Sequence, residues 1–188
     1  MDRTDILNTY ATDMAAVESH IATAVGDLLE NDEAKSYPTA VSVLTSLKTT
    51  MEGHVTALEA YNGRTEGGDI KEAAKEAVGD ALGFAAGLWN KIRNKDEVSR
   101  SIRDTYTATG LAAISYHMLY TTALGLKDNA LADLALRNLK DITPLIGKLS
   151  EVVCTVVAAE LSAEGKVIDP TVADEAIKAT QEAWSKAK

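Results

Sequence analysis

Apolar residues recur along this chain at three- and four-residue steps, the period of a helix with one buried face. Ile6, Tyr10, Met14, Val17, Ile21, Val25 and Leu28 form the first stripe and predict an amphipathic helix over about Thr4 to Glu30. A second stripe opens at Tyr37-Pro38, proline being tolerated in a first helical turn, and carries Val41, Leu44, Leu47, Met51, His54, Leu58 and Tyr61. Asn62-Gly63-Arg64-Thr65-Glu66-Gly67-Gly68 stops it. The pattern then weakens from Asp69 to Ile92, where Gly79, Gly83 and Gly87 each lower helix propensity by about 1 kcal/mol relative to alanine. This stretch reads as an Ala/Gly-rich helical insertion over residues 69–93 that buries Leu82, Leu88, Trp89 and Ile92.

A third long helix is expected over about Asp96 to Leu124, with Val98, Ile102, Thr109, Ala113, Tyr116, Tyr120 and Leu124 inward. The fourth covers about Ala130 to Leu161 and has the broadest apolar face, running from Leu134 through Ile142, Leu145, Leu149 and Val152 to Val157. Pro144 falls inside it, and an interior proline removes a backbone hydrogen bond and crowds the preceding turn. The segment is therefore expected to bend there or to break into two helices, the bend being preferred. Asp169-Pro170 starts a last helix over 169–187, in which Ala173, Ile177 and Trp184 share a face and Trp184 docks the tail.

Composition narrows the class. The chain has 188 residues, enough for a single domain, 1–188, with a sizeable core. Its 46% apolar residues are mostly Ala, Leu, Val and Ile, with one Phe and three Pro, the make-up of an all-α protein. A net charge of −9 without a basic cluster argues against nucleic acid as partner. No apolar run approaches the roughly 20 residues that span a bilayer, and Met1-Asp2-Arg3-Thr4-Asp5 lacks the layout of a secretory signal, so no membrane span is expected. The lone Cys154 sits among Val152, Val153, Val156 and Val157 as a small buried hydrophobe, which fits a reducing, cytoplasmic location.

Four long amphipathic helices, with a short turn before the last and a long connection between the second and third, predict an antiparallel four-helix bundle of the ferritin-like kind. The segments Tyr10-Ala11-Thr12-Asp13-Met14-Ala15-Ala16-Val17-Glu18-Ser19-His20-Ile21, Met51-Glu52-Gly53-His54-Val55 and Ala113-Ile114-Ser115-Tyr116-His117-Met118-Leu119-Tyr120 resemble bacterial ferritin-like proteins of the YciE/YciF type. The similarity covers residues 1 to about 162 and the closing helix. It implies a four-helix bundle, dimerisation through helix packing, and an association with stress responses.

Two ligand-type side chains stand on otherwise apolar stripes: Glu18, four after Met14 and three before Ile21, and His54, three after Met51 and four before Leu58. Each has two readings. Glu18 is either a first-helix metal carboxylate or a boundary residue whose stem packs while its head reaches water. His54 is either a ligand or a core histidine bonded to a carbonyl or carboxylate. The ferritin-like pattern asks for one Glu from each of two helices and a Glu-x-x-His from each of the others. That spacing is missing: Ile21, Val55 and Cys154 follow Glu18, Glu52 and Glu151 by three.

The third helix has no central glutamate and offers Tyr116, His117 and Tyr120 instead. His117 would ligate a metal with His54 or join Glu18 in a buried polar cluster, and Glu151 on the fourth helix would add a carboxylate. The metal candidates are thus Glu18, His54, Glu151 and His117, for Fe or Mn, with a mononuclear site or none favoured over a di-iron centre. Glu52, Asp13 and His20 read as solvated. Three functions follow: a stress-associated bundle that works by self-association or by a protein partner bound through 69–93, a metal-binding redox or peroxide-consuming protein, and, on the abundance of small residues alone, a carrier of an apolar ligand in the interhelical core.

Overall fold

The computed structural model describes residues 2–65, 97–166 and 168–185, and every element among them is a helix. In chain order these are α1 (Arg3–Glu30), α2 (Asp32–Lys35), α3 (Pro38–Thr65), α4 (Val98–Gly125), α5 (Asn129–Ala163) and α6 (Val172–Ser185). The insertion expected over 69–93 lies outside the described residues.

Local chemistry fixes most helix ends. Asp2 caps α1 by accepting from the Asp5 backbone N–H at 2.9 Å, while the Asp5 carboxylate accepts from the Asp2 N–H at 3.0 Å, a reciprocal capping box. Asn31 ends α1 and opens α2, accepting from the N–H groups of Glu33 and Ala34. The start of α4 has no cap of its own, and Glu160 supplies one from the far end of α5 by accepting from the Ser99 N–H at 2.9 Å.

Both α4 and α5 end in six-to-one backbone bonds, Asp128 N–H to the Ala123 carbonyl and Lys166 N–H to the Leu161 carbonyl. The left-handed residue is Gly165 (φ 76°) after α5 but Lys127 (φ 58°) after α4. A lysine there is held by its surroundings. Arg3 donates to the Leu126 and Lys127 carbonyls, and Asp128 caps α5, accepts from Tyr61 at 3.1 Å and faces Arg3 at 3.5 Å.

The long helices pack in a ring, α1 on α3, α3 on α5, α5 on α4 and α4 on α1. Every neighbouring pair is antiparallel. Thr12 meets Asn62 and Glu18 meets His54; Tyr61 meets Asp128 and His54 meets Asp141; Ser99 meets Glu160 and Tyr116 meets Asn138; Arg3 meets Leu126 and Glu18 meets Tyr116. The end of α3 therefore lies beside the α4–α5 turn, whereas α4 starts beside Glu160. At about 1.5 Å per residue the helix between Asp128 and Glu160 measures roughly 48 Å. The link between α3 and α4 thus joins opposite ends of the ring.

Inside the ring, the core is built from Leu7, Ala11 and Met14 of α1, Leu44, Leu47 and Met51 of α3, Ile102, Ala108 and Ala112 of α4, and Leu131, Ala135, Ile142, Leu149 and Val156 of α5; Leu124 and Val157, expected inward, are 49% and 40% exposed, because the buried stripes run through their neighbours Ala123 and Val156, about 100° away around the helix. The alanines let backbones approach while the larger groups fill the space between them. α5 runs unbroken through Pro144, so the alternative of two separate helices does not hold. Proline lacks the N–H that would reach the Lys140 carbonyl, and the flanking Ile142 and Leu145 anchor the helix in the core across that gap. α5 is also long and apolar enough, by length and composition, to cross a membrane, although its most apolar stretch carries the core residues Ile142 to Val156.

α6 packs chiefly on α5 and buries no residue fully. Asp169 precedes it in a turn, accepting from the Thr171 N–H at 2.8 Å and hydroxyl at 2.7 Å, bonds that hold its carboxyl below the usual range. Trp184 does not dock the tail: it is 64% exposed, and Ala173, Ala176 and Ile177 supply the half-buried face instead. Cys154 is half-buried rather than enclosed, its thiol 3.6 Å from the Ser150 carbonyl.

Candidate functional site

Midway along the ring, all four long helices contribute a polar group to one layer. Glu18 of α1 is fully buried because its position continues the apolar stripe of Met14 and Ile21. Its Oε1 lies 3.0 Å from Nδ1 of His54 on α3, and its Oε2 accepts from the Tyr116 hydroxyl of α4 at 2.8 Å. Asn138 of α5 donates its amide to the Tyr116 oxygen at 3.0 Å. Asp141, one turn further along α5, brings Oδ2 to 3.5 Å from His54 Nε2, and the His54 and Tyr116 rings meet edge to face with centroids 6.0 Å apart.

The electrostatics follow from depth and partners. Burial pushes the Glu18 carboxyl above its ordinary value, while the hydrogen bond and charge of His54 and the Tyr116 hydrogen bond pull it back only in part. Burial, and then the Glu18 charge, drive the Tyr116 phenol far above its ordinary range, so it stays protonated and donates. With Glu18 ionised, both its oxygens accept and His54 carries a proton on Nδ1. His54 Nε2 is buried without a hydrogen-bond partner, because Asp141 stops at ion-pair distance.

Of the four residues singled out as ligands, two come together. Glu18 and His54 are directly bonded. His117 is exposed on the outer side of α4, since one residue is about 100° of helical turn and Tyr116 takes the inward direction. Glu151 is half-buried on the outer flank of α5, where Gln181 of α6 donates to it at 2.6 Å. Glu52 is exposed and pairs with Lys48. Asp13, expected in solvent, has its Oδ1 enclosed without a hydrogen-bond partner beside α4.

The sequence reading missed Asn138 and Asp141 as members of the layer. Asn138 had a usable signal: it stands three after Ala135 and four before Ile142, a polar residue on a buried stripe. Asp141 had none, being 52% exposed at its side chain and reaching His54 from the rim.

This donor set does not fit a dinuclear centre. Such a site needs several carboxylates to offset two cations, and here α4 presents a phenol and α5 an amide, with the Asp141 carboxylate reaching the layer only from its rim. Both oxygens of Glu18 are already engaged, and among the described residues no group of three or more His, Cys, Asp or Glu is gathered to hold a metal ion. The arrangement does tie four helices to one register, since each bond is made only when the layers align. No protein-family model matches the chain, and no curated protein or solved structure matches it either.

Proposed function

We propose that this protein is a ferritin-like four-helix bundle whose central site has become a hydrogen-bonded structural layer, and that it acts through its surfaces, by self-association or by binding a protein partner, in the stress setting its resemblance implies. The carrying observation is that the fold supplies a hydrogen-bond partner to each oxygen of Glu18, His54 to one and Tyr116 to the other, and joins them to Asn138 in one network across the four helices. The up-down-down-up order of the long helices, with a link between opposite ends, supports the ferritin-like assignment. The exposed Ile114 and Met118, one turn apart on α4, support a surface role, because contiguous exposed apolar groups mark contact sites.

A second reading draws on one observation. The unpartnered Nε2 of His54 faces Asp141 at 3.5 Å, a pair able to hold a single divalent cation at the rim of the layer while Glu18 orients the ring from behind. One experiment separates the two. The protein is loaded with iron, manganese or zinc, dialysed, and assayed for metal per chain, with its mass in solution measured by light scattering. Under the first reading metal stays substoichiometric and the mass exceeds one chain or rises with a partner. One metal per chain, lost in His54→Ala, overturns it in favour of the second.

A further inference from the structure

The contact between α5 and α6 differs from those inside the ring. The long helices bury whole stripes, whereas on α6 only Ala173, Ala176 and Ile177 are half-buried and the rest of the helix is exposed. Among the described residues a single side-chain hydrogen bond joins α6 to the ring, from Gln181 to Glu151 at 2.6 Å. Each helix is also complete at its facing end without the other. α5 closes with its own six-to-one bond from the Lys166 N–H to the Leu161 carbonyl. α6 opens in the Asp169–Thr171 turn, with the Thr171 carbonyl accepting from the Glu175 N–H and the Thr171 hydroxyl 3.2 Å from the Glu175 carboxylate. Release of α6 therefore breaks one hydrogen bond and uncovers three half-buried side chains, which places it at the low end of the local openings that folded proteins undergo. A helix of 14 residues is marginal once alone in water, so the released segment regains chain freedom as well.

Glu151, Cys154 and Ala158 stand three and four residues apart and so share one flank of α5, and the Gln181 bond to Glu151 puts that flank under α6. All three are half-buried. Val157 and Leu161 beside it remain 40% and 39% exposed. We infer that α6 is a releasable strap: it leaves α5 as one unit while the four-helix ring stays folded, and so gates access to the flank that carries Cys154. Val152 and Val156, two residues to either side of Cys154, are held in the core of the ring, so release of α6 changes the cover over the thiol without moving the helix beneath it. The inference goes beyond the surface-acting reading and does not depend on it.

The test treats the full chain with N-ethylmaleimide, in water and in urea below the unfolding transition, and follows the adduct by mass spectrometry. Cys154 is the one cysteine of the chain, so the adduct reports a single thiol. Labelling of the wild type is expected to run at least about tenfold slower than that of the unfolded chain, and to rise only shallowly with urea because opening of α6 exposes little surface. Ile177→Ser, at a half-buried position of α6, is expected to raise the rate about fivefold and to leave the urea midpoint of the ring, read by circular dichroism, unchanged. Wild-type labelling as fast as in the unfolded chain overturns the inference, because α6 then covers nothing. A wild-type rate that climbs with urea as steeply as global unfolding overturns it as well, because the thiol is then reached only when the ring opens. An unchanged rate in Ile177→Ser has the same consequence.

Discussion

Glu18 and Asp13 sit on one helix, five residues apart, and have opposite fates. Glu18 is enclosed completely and has a partner for each oxygen, from α3 and from α4. Asp13 lies at the edge of the ring, where α1 meets only α4, and nothing there answers its enclosed oxygen. Depth alone therefore does not mark a carboxylate as functional. What separates them is whether the protein supplies the complement: Glu18 has one for each oxygen and ties three helices together, whereas the enclosed oxygen of Asp13 has none.

The largest test of that contrast is Glu18→Ala. It strands the His54 Nδ1 and the Tyr116 hydroxyl and opens a void, and it is expected to lower unfolding free energy by about 3–5 kcal/mol in urea titrations. A loss below about 1 kcal/mol would show that the layer is incidental. Tyr116→Phe removes one donor to Glu18 and the acceptor of Asn138 while keeping the ring, and about 1–3 kcal/mol should go with it.

Acid sharpens the comparison. Because burial raises the Glu18 carboxyl in the folded state, its protonation favours folding, so its contribution is fully present below the ordinary 4.5 and is lost as pH rises through the raised folded value. Stability measured from neutral pH down to about 4.5 should move in favour of the wild type relative to Glu18→Gln, and parallel curves would contradict the assignment. The smallest effect belongs to Asp13→Asn, which relieves an unpaired carboxylate and should change thermal stability by no more than about 0.5 kcal/mol, neutral or favourable. A clear destabilisation would mean that Asp13, too, is structural.

The helical stripes made most of this architecture legible. Arg3–Glu30, Pro38–Thr65, Val98–Gly125 and Asn129–Ala163 fall within a few residues of the periodic segments, because four stripes of Leu, Ala, Met and Val leave few other ways to bury them. Glu18 and His54 were legible for the same reason, as ionisable groups breaking apolar stripes. Their partners were harder to find. Tyr116 is one inward residue among several on its stripe and Asn138 a polar residue on another, and only tertiary contact reveals that they complete one network. Asp13 was missed because its neighbour across the groove comes from α4, about a hundred residues away in sequence. The docking of Trp184 failed for a different reason: the stripe of α6 identifies a face, but the half-buried part of that face ends at Ile177 and a polar bond from Gln181 to Glu151 follows, leaving Trp184 exposed beyond it.

The ring is two helical hairpins, α1 with α3 and α4 with α5, whose link joins opposite ends. Glu18 to His54 closes within the first hairpin and Asn138 to Tyr116 within the second, whereas Glu18 to Tyr116, 98 residues apart, and His54 to Asp141 bridge the two. The bridging pairs close equally well when the second hairpin belongs to another copy. Nothing in the layer discriminates a chain's own hairpin from its neighbour's, so effective concentration, set by the length and stiffness of the link, selects between a closed monomer and an exchanged dimer.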